Sequence, residues 1–208
     1  MHGLYLKAAI VSSILVLVSC NATESSNTSV KPDAAASASA PQEPVSGKTA
    51  FWEMYKSAHT WAADLVPLSL ESKAVPGIKA DGGKAAMWNA MFGSPSKHEA
   101  RSFSYCVTGH PPDIYKGVTV GNSIPWAGPV KTALPFDTSD FSVDSDAAYA
   151  TALAQANSWV SKNPGKEVSL TLGNASRFPA PVWYVLWGDN KKSGYAVYVN
   201  AKSGAVVK

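Results

Sequence analysis

The sequence contains few charged residues, since only 16% of its 208 positions are Asp, Glu, Lys or Arg. The 18 basic and 15 acidic side chains give a formal net charge of +3 at pH 7. This balance produces no strong electrostatic field, so the composition does not indicate a nucleic-acid partner. A hydrophobic content of 46%, with 10% aromatic residues, argues against global disorder and predicts a packed core.

The apolar stretch near the N terminus is too short to span a membrane. It covers 8–18, follows Lys7 and leads into Leu17-Val18-Ser19-Cys20. A spanning helix needs about 20 apolar residues, whereas a stretch of about 11 is typical of a signal peptide. The four-residue motif resembles the lipobox of bacterial lipoproteins, in which the chain is cut before the cysteine and the cysteine then carries lipid.

This resemblance implies a signal peptide over 1–19 and a membrane anchor through lipidated Cys20 in a bacterial cell envelope. Asn21, where an aspartate would change the sorting of such lipoproteins, is similar to the pattern that directs them to the outer membrane where the cell has one. The alternatives are an ordinary secretory signal with a chance cysteine, or an uncleaved anchor. The sequence has two cysteines, so lipidation of Cys20 leaves Cys106 with no partner for an internal disulfide.

The remaining chain divides into a tether and a folded part. Residues 20–50 are mainly Ser, Ala, Thr, Asn and Pro, and cannot bury enough apolar surface to offset the entropy of ordering. They are predicted to be a disordered tether. From Phe51 onward about 158 residues are long enough to form a hydrophobic core without disulfides.

The folded part is predicted to contain two similar α+β halves, 51–130 and 131–208. In each half, apolar residues at helical spacing precede a strand and then a hairpin. The segments Trp88–Gly93 and Trp183–Gly188 both have Trp, three residues, an aromatic residue and Gly, at an offset of 95 residues. This pattern indicates an internal repeat, and chance similarity between aromatic-rich hairpins is the alternative.

The C-terminal part carries a resemblance to a known family. Its residues are Pro181-Val182-Trp183-Tyr184-Val185, followed by a closing strand and glycine turn over 198–206. Together with the preceding alanine-rich helix, they make 146–208 similar to a PepSY domain, although Asn200 and Ser203 replace an aspartate and a threonine that are common there. The resemblance implies a small α+β module of the cell envelope. Such modules are often paired, lack catalytic residues and are suggested to bind or restrain proteins such as peptidases.

Two groups of polar residues could carry chemistry. Cys106 and His110, with His98 and Glu99, are suited to a metal site or a Cys–His nucleophile. However, Cys106 lies in an alternating strand, and a free cysteine is among the most buried residue types. The second group, four aspartates before the second helix, is better explained by an N-cap at Asp144 or Ser145 than by calcium. These aspartates are Asp137, Asp140, Asp144 and Asp146.

These sequence features together favour a non-catalytic function, and no metal or cofactor is expected. We predict a lipoprotein that binds or restrains a protein or peptide partner, with tryptophans as candidate binding residues. One alternative is an envelope enzyme that uses Cys106 or the group of His98, Glu99 and His110. Another is a structural envelope protein that associates through strand edges. The candidate binding tryptophans are Trp88, Trp126, Trp183 and Trp187.

Overall fold

The computed structural model describes residues 43–189 and 193–207 of the chain. The predicted signal peptide, the predicted lipid site at Cys20 and most of the predicted tether lie outside these residues. The described elements are α1 (Gly47–Trp61), β1 (Val66–Lys73), β2 (Met87–Ser94), β3 (Glu99–Cys106), β4 (Gly117–Pro125), a 3-10 turn (Thr138–Asp140), α2 (Ser145–Lys162), β5 (Val168–Gly173), β6 (Val182–Trp187), β7 (Tyr195–Asn200) and β8 (Val206–Val207).

All of these strands form one antiparallel sheet in the order β4-β3-β2-β1-β5-β6-β7-β8. The first strands of the two predicted halves, β1 and β5, pair directly, with Leu70 opposite Leu172. The prediction of two helix-plus-strand α+β halves is therefore wrong. The described chain is mostly β structure, because eight strands in a continuous sheet are accompanied by only two helices.

The core fills the space between the helices and one face of this sheet. Along β2, Trp88, Ala90 and Phe92 are buried, while the residues between them are only partly covered. This alternation follows from the strand period of two, which sends successive side chains to opposite faces. The buried side chains of α1, α2 and the sheet form one continuous cluster, so the helices share a single core.

The N termini of the two helices meet above the β1–β5 pair. The Gly47 N–H donates to Ser145 Oγ at 2.7 Å, and the Lys48 N–H donates to the Asp144 carboxylate at 2.8 Å. The same carboxylate accepts from the Ser145 N–H at 2.7 Å, so the predicted N-cap at Asp144 is confirmed. One carboxylate therefore satisfies free backbone donors of both helices.

Two buried tryptophans lie beneath these helix ends. Trp88 Nε1–H donates to the Val45 carbonyl at 3.0 Å, and Trp183 Nε1–H donates to the Val143 carbonyl at 2.9 Å. Their ring centroids are 6.2 Å apart in an edge-to-face arrangement. A Cβ added at Gly47 would lie 2.9 Å from the Trp183 ring, so only glycine fits there. We call Gly47, Trp88, Asp144, Ser145 and Trp183 the central junction.

The apolar spacing from Phe51 to Leu65 predicts a helix that is ended by Pro67, and α1 differs from this prediction at both ends. It begins before Phe51 because Ser46 caps it and Gly47 fits against the rings of Trp88 and Trp183. It ends at Trp61, where Ala62 becomes extended, and Pro67 lies inside β1. Pro67 adjoins a register shift between β1 and β2, a place where a strand tolerates the missing N–H. Among the described residues, neither helix has the length and apolar character of a membrane span.

Candidate functional site

Three of the four candidate binding tryptophans lie inside the core. Trp88 and Trp183 have no exposed surface, and Trp187 is 2% exposed. They face the helices because the strand alternation of β2 and β6 places them on the covered side of the sheet. These side chains stabilise the fold and cannot touch a ligand at the protein surface.

The fourth, Trp126, is partly exposed beyond the end of β4. Its backbone N–H donates to the His98 carbonyl at 2.8 Å, and this hydrogen bond holds the segment after β4 against the β2–β3 turn. Its ring covers Gly93, where an added Cβ would lie 2.9 Å away. Beside the ring is a hollow of about 300 Å³, which includes Val66 and Pro135 in its lining. We call this the Trp126 hollow.

The residues of the alternative enzyme site are not brought together. His98 and Glu99 lie at the start of β3, whereas Cys106 is its last residue and His110 lies in the following loop. Eight strand residues separate the two ends of β3 by about 23 Å. Cys106 is buried against Ala86 and its neighbours. Within the described part of the chain, no group of three or more His, Cys, Asp or Glu side chains could hold a metal ion.

The shifted pKa values belong to groups that stabilise turns. The Asp64 carboxylate accepts from Ser94 Oγ at 2.7 Å and from the Ser96 N–H at 2.7 Å. These hydrogen bonds lower the pKa of Asp64 to about 2, and the bond from the Ser94 hydroxyl has the largest effect. The hydrogen bond from Lys202 to Asp140 raises the pKa of the lysine. These groups connect loops and do not form a catalytic cluster.

The outer side of β4 is the first candidate interaction surface, and we call it the β4 edge. This strand pairs with β3 on one side, and no strand lies beyond it among residues 43–189 and 193–207. Its nine residues, Gly-Val-Thr-Val-Gly-Asn-Ser-Ile-Pro, include no charged side chain. Val120 is 50% exposed and Ile124 is 52% exposed. The β4 edge therefore combines unpaired backbone with exposed apolar side chains.

A second candidate lies on the uncovered face of β5, β6 and β7. Arg177 lies over the ring of Phe178, with 4.5 Å from the guanidinium carbon to the centroid, and over Tyr198 at 5.2 Å. A hollow of about 260 Å³ adjoins this stack. We call it the Arg177 hollow. Its lining includes Thr132, Thr171, Asn174, Arg177, Phe178 and Tyr198.

The sequence prediction missed both candidate surfaces. The strand period of two places Tyr184 and Tyr198 on the face opposite the buried Trp183 and Val199, although β6 is apolar on both faces. Such outward aromatic residues on a sheet are a usable signal for a surface site. By contrast, the edge position of β4 depends on strand order, which the periodicity of one strand does not determine.

Comparisons with known proteins add no relatives to this description. No protein-family model, no curated protein and no solved structure matches the chain.

Proposed function

We propose that this chain is a non-catalytic, lipid-anchored protein of the bacterial cell envelope that binds an extended protein or peptide segment at the β4 edge. The observation that carries the proposal is the uncharged, nine-residue outer strand of the sheet. The envelope location is supported by the lipobox-like Leu17-Val18-Ser19-Cys20 and the polar segment that follows it.

Strand addition is favoured by the backbone of the β4 edge. In an antiparallel ladder, alternate residues direct their N–H and C=O groups away from the existing partner strand. An added segment would receive these hydrogen bonds and gain affinity from them, while its alternate side chains provide specificity. Natural proteins usually protect such edges with charges, short strands, prolines or bulges. β8, at the other end of the sheet, has two residues, whereas β4 has nine residues and no charge, and its protection is limited to Pro125 at its end and a register shift against β3.

The Trp126 hollow offers a second contact to a segment bound at β4. Trp126 follows directly after Pro125, the last residue of β4, and the hollow lies over the ends of β1 and β2, so only a segment that continues beyond β4 and turns over the sheet would enter it. The lining is largely apolar, from Val66, Trp126 and several prolines. An apolar or aromatic side chain of the bound segment is therefore the expected occupant.

The structural alternative, association of identical chains, would use the same edge. Two copies of β4 carry no charges, so they would not repel each other in antiparallel pairing. The enzyme alternative has no comparable support, because Cys106 is buried and lies at the opposite end of β3 from His98 and Glu99.

Photocrosslinking in intact membranes tests this proposal. A photoreactive residue at Thr119 on β4 should yield a discrete crosslinked species, while the same residue at Val206 on β8 should not. Val120→Lys should remove the product, because a charge protects the edge. A product at twice the mass of the chain would support association of identical chains instead. No product from Thr119, or equal products from both strands, would overturn binding at the β4 edge.

A further inference from the structure

The Arg177 side chain is held in a fixed position on the uncovered sheet face. Besides lying over two rings, it donates from Nη2 to the Tyr198 hydroxyl at 3.1 Å. Phe178 and Tyr198 pack at 5.1 Å between centroids, and Tyr184 and Tyr198 pack at the same distance. A guanidinium on such an aromatic base loses less side-chain entropy when it binds a ligand.

Among the residues that the structure describes, no acid neutralises the positive charge of Arg177. Within residues 43–189 and 193–207, no carboxylate forms an ion pair with Arg177. Glu71, which lies opposite Thr171 in the sheet, is paired with Lys73 at 2.6 Å. The described residues that line the hollow include no acidic side chain. An anionic group would therefore find a charged donor, and Glu71, the acid opposite the lining residue Thr171, is already paired with a lysine.

The volume and lining of the Arg177 hollow indicate the size and the chemical groups of a ligand that would fit it. Its volume of about 260 Å³ lies just below the range of about 300–1,000 Å³ typical of pockets for drug-sized molecules. Phe178 and Tyr198 provide apolar surface, while Thr132 and Thr171 add hydroxyl groups. This combination suits a small molecule with one carboxylate and one planar apolar group.

We infer that the Arg177 hollow binds the carboxylate of a small aromatic acid, with the guanidinium donating to the carboxylate and the planar group packing on the partly exposed rings. Guanidinium and carboxylate match in a paired, two-bond geometry that gives both affinity and orientation. The acid could be a free molecule or the C-terminal residue of a peptide, since both present the same group. The site is distinct from the β4 edge, because five strand spacings separate β4 from β6, or about 24 Å.

Calorimetric titration of the full chain in detergent tests this inference. The probes are 3-phenylpropionate, the tripeptide Ala-Ala-Phe with a free C terminus, and the same tripeptide with an amidated C terminus. Both acids should bind, and the amide should bind at least about tenfold more weakly, because it cannot form the charged pair. Tighter binding of the tripeptide acid identifies a peptide C terminus, tighter binding of 3-phenylpropionate identifies a free acid, and equal binding shows that the hollow recognises only the group that both share.

Substitutions at Arg177 distinguish the contribution of its charge to acid binding from that of its paired hydrogen-bond geometry. Arg177→Met should weaken acid binding about tenfold or more, and Arg177→Lys should weaken it less, because a lysine keeps the charge but loses the paired geometry. Lys166→Met, at another exposed basic residue, should bind as the wild type does. Unchanged unfolding midpoints verify that the exposed Arg177 variants fold.

Three results would overturn this inference. They are equal affinity for acid and amide, wild-type affinity in Arg177→Met, and no saturable binding of either acid below about 10 mM. Val120→Lys should leave acid binding unchanged. The Arg177 hollow and the β4 edge can therefore fail independently of each other.

Discussion

The central junction and the β4 edge differ in whether their backbone groups have hydrogen-bond partners. At the junction, the N–H groups of Gly47 and Lys48 donate to side chains almost one hundred positions away, at separations of 98 and 96 residues. At the β4 edge, alternate backbone groups point away from β3 toward no described strand. The aromatic side chains at the junction are buried, whereas Val120 and Ile124 are about half exposed.

This difference indicates a division between stability and interaction. Unfolding free energy should depend on the junction, where removal of one group leaves buried partners unsatisfied. The affinity for a binding partner should depend on the β4 edge, where substitutions change exposed side chains that do not pack in the core. Three of the following substitutions test this division and a fourth tests the Asp64 turn outside both regions, and all four are ordered by their expected effect on stability.

Trp183→Ala should have the largest effect, a loss of about 3–5 kcal/mol in the free energy of unfolding, because it opens a large cavity in the core. It also removes the donor to the Val143 carbonyl. Trp126→Ala, at a partly exposed tryptophan, should cost clearly less. Urea unfolding of the full chain measures both. If Trp183→Ala does not fold, Trp183→Phe should still cost about 1–3 kcal/mol. Equal losses at Trp183 and Trp126 would contradict the distinction between core and surface.

Asp144→Ala should cost about 2 kcal/mol, at the upper end of helix-cap losses, since its carboxylate serves both helices. Ser46→Ala is the matched control, because Ser46 caps α1 alone and accepts from the Thr49 N–H at 3.4 Å. Its expected cost is about 0.5–1 kcal/mol. Chemical denaturation of the two variants compares the losses directly. An equal or larger loss in Ser46→Ala would show that Asp144 does not join the helices.

Asp64→Asn should have a smaller effect, which depends on pH. The pKa of Asp64 falls from 3.8 to about 2 on folding. A lowered pKa contributes stability above about pH 3.8, and this contribution is lost as the pH falls toward about 2. The wild type should therefore lose more stability than Asp64→Asn between about pH 5 and pH 2.5. Urea midpoints at both pH values measure this difference, and parallel losses would contradict it.

Val120→Lys should have the smallest effect on stability, within about 0.5 kcal/mol, because this half-exposed side chain lies on the outermost strand. Its effect on partner binding should nevertheless be complete, as proposed for the β4 edge. Val206→Lys on β8 provides the control and should change neither property. Thermal unfolding combined with crosslinking measures both. A large loss of stability in Val120→Lys would show that this part of β4 belongs to the core.

The local elements were largely predictable from the sequence. Both hairpins lie where alternating and apolar segments predicted them, as β2–β3 and β6–β7. The N-cap at Asp144 followed from its position before an alanine-rich helix. These features depend on residues close together in the chain, so periodicity and capping chemistry were sufficient to find them.

The assembly of these elements was not predictable in the same way. The β1–β5 pairing depends on contacts such as the Leu170 N–H donating to Ser72 Oγ, at a separation of 98 residues. Nothing in the alternation of either strand specifies the other as its neighbour. Trp88 and Trp183 were predicted as candidate binding residues but are buried, because tryptophan is frequent both in cores and at binding sites and its type alone does not separate the two. The proposed internal repeat and the PepSY resemblance remain predictions.

The central junction also has a consequence for the order of folding. The start of α1 is synthesised early, but its partners Ser145 and Trp183 lie in the last third of the chain and are synthesised late. Closing the 98-residue separation costs about 0.7 kcal/mol more in loop entropy than closing the 43 residues between Val45 and Trp88. A chain that emerges from its N terminus cannot complete α1 packing until β6 is available. It should therefore remain unfolded through most of its synthesis or transport and fold in one late, cooperative step.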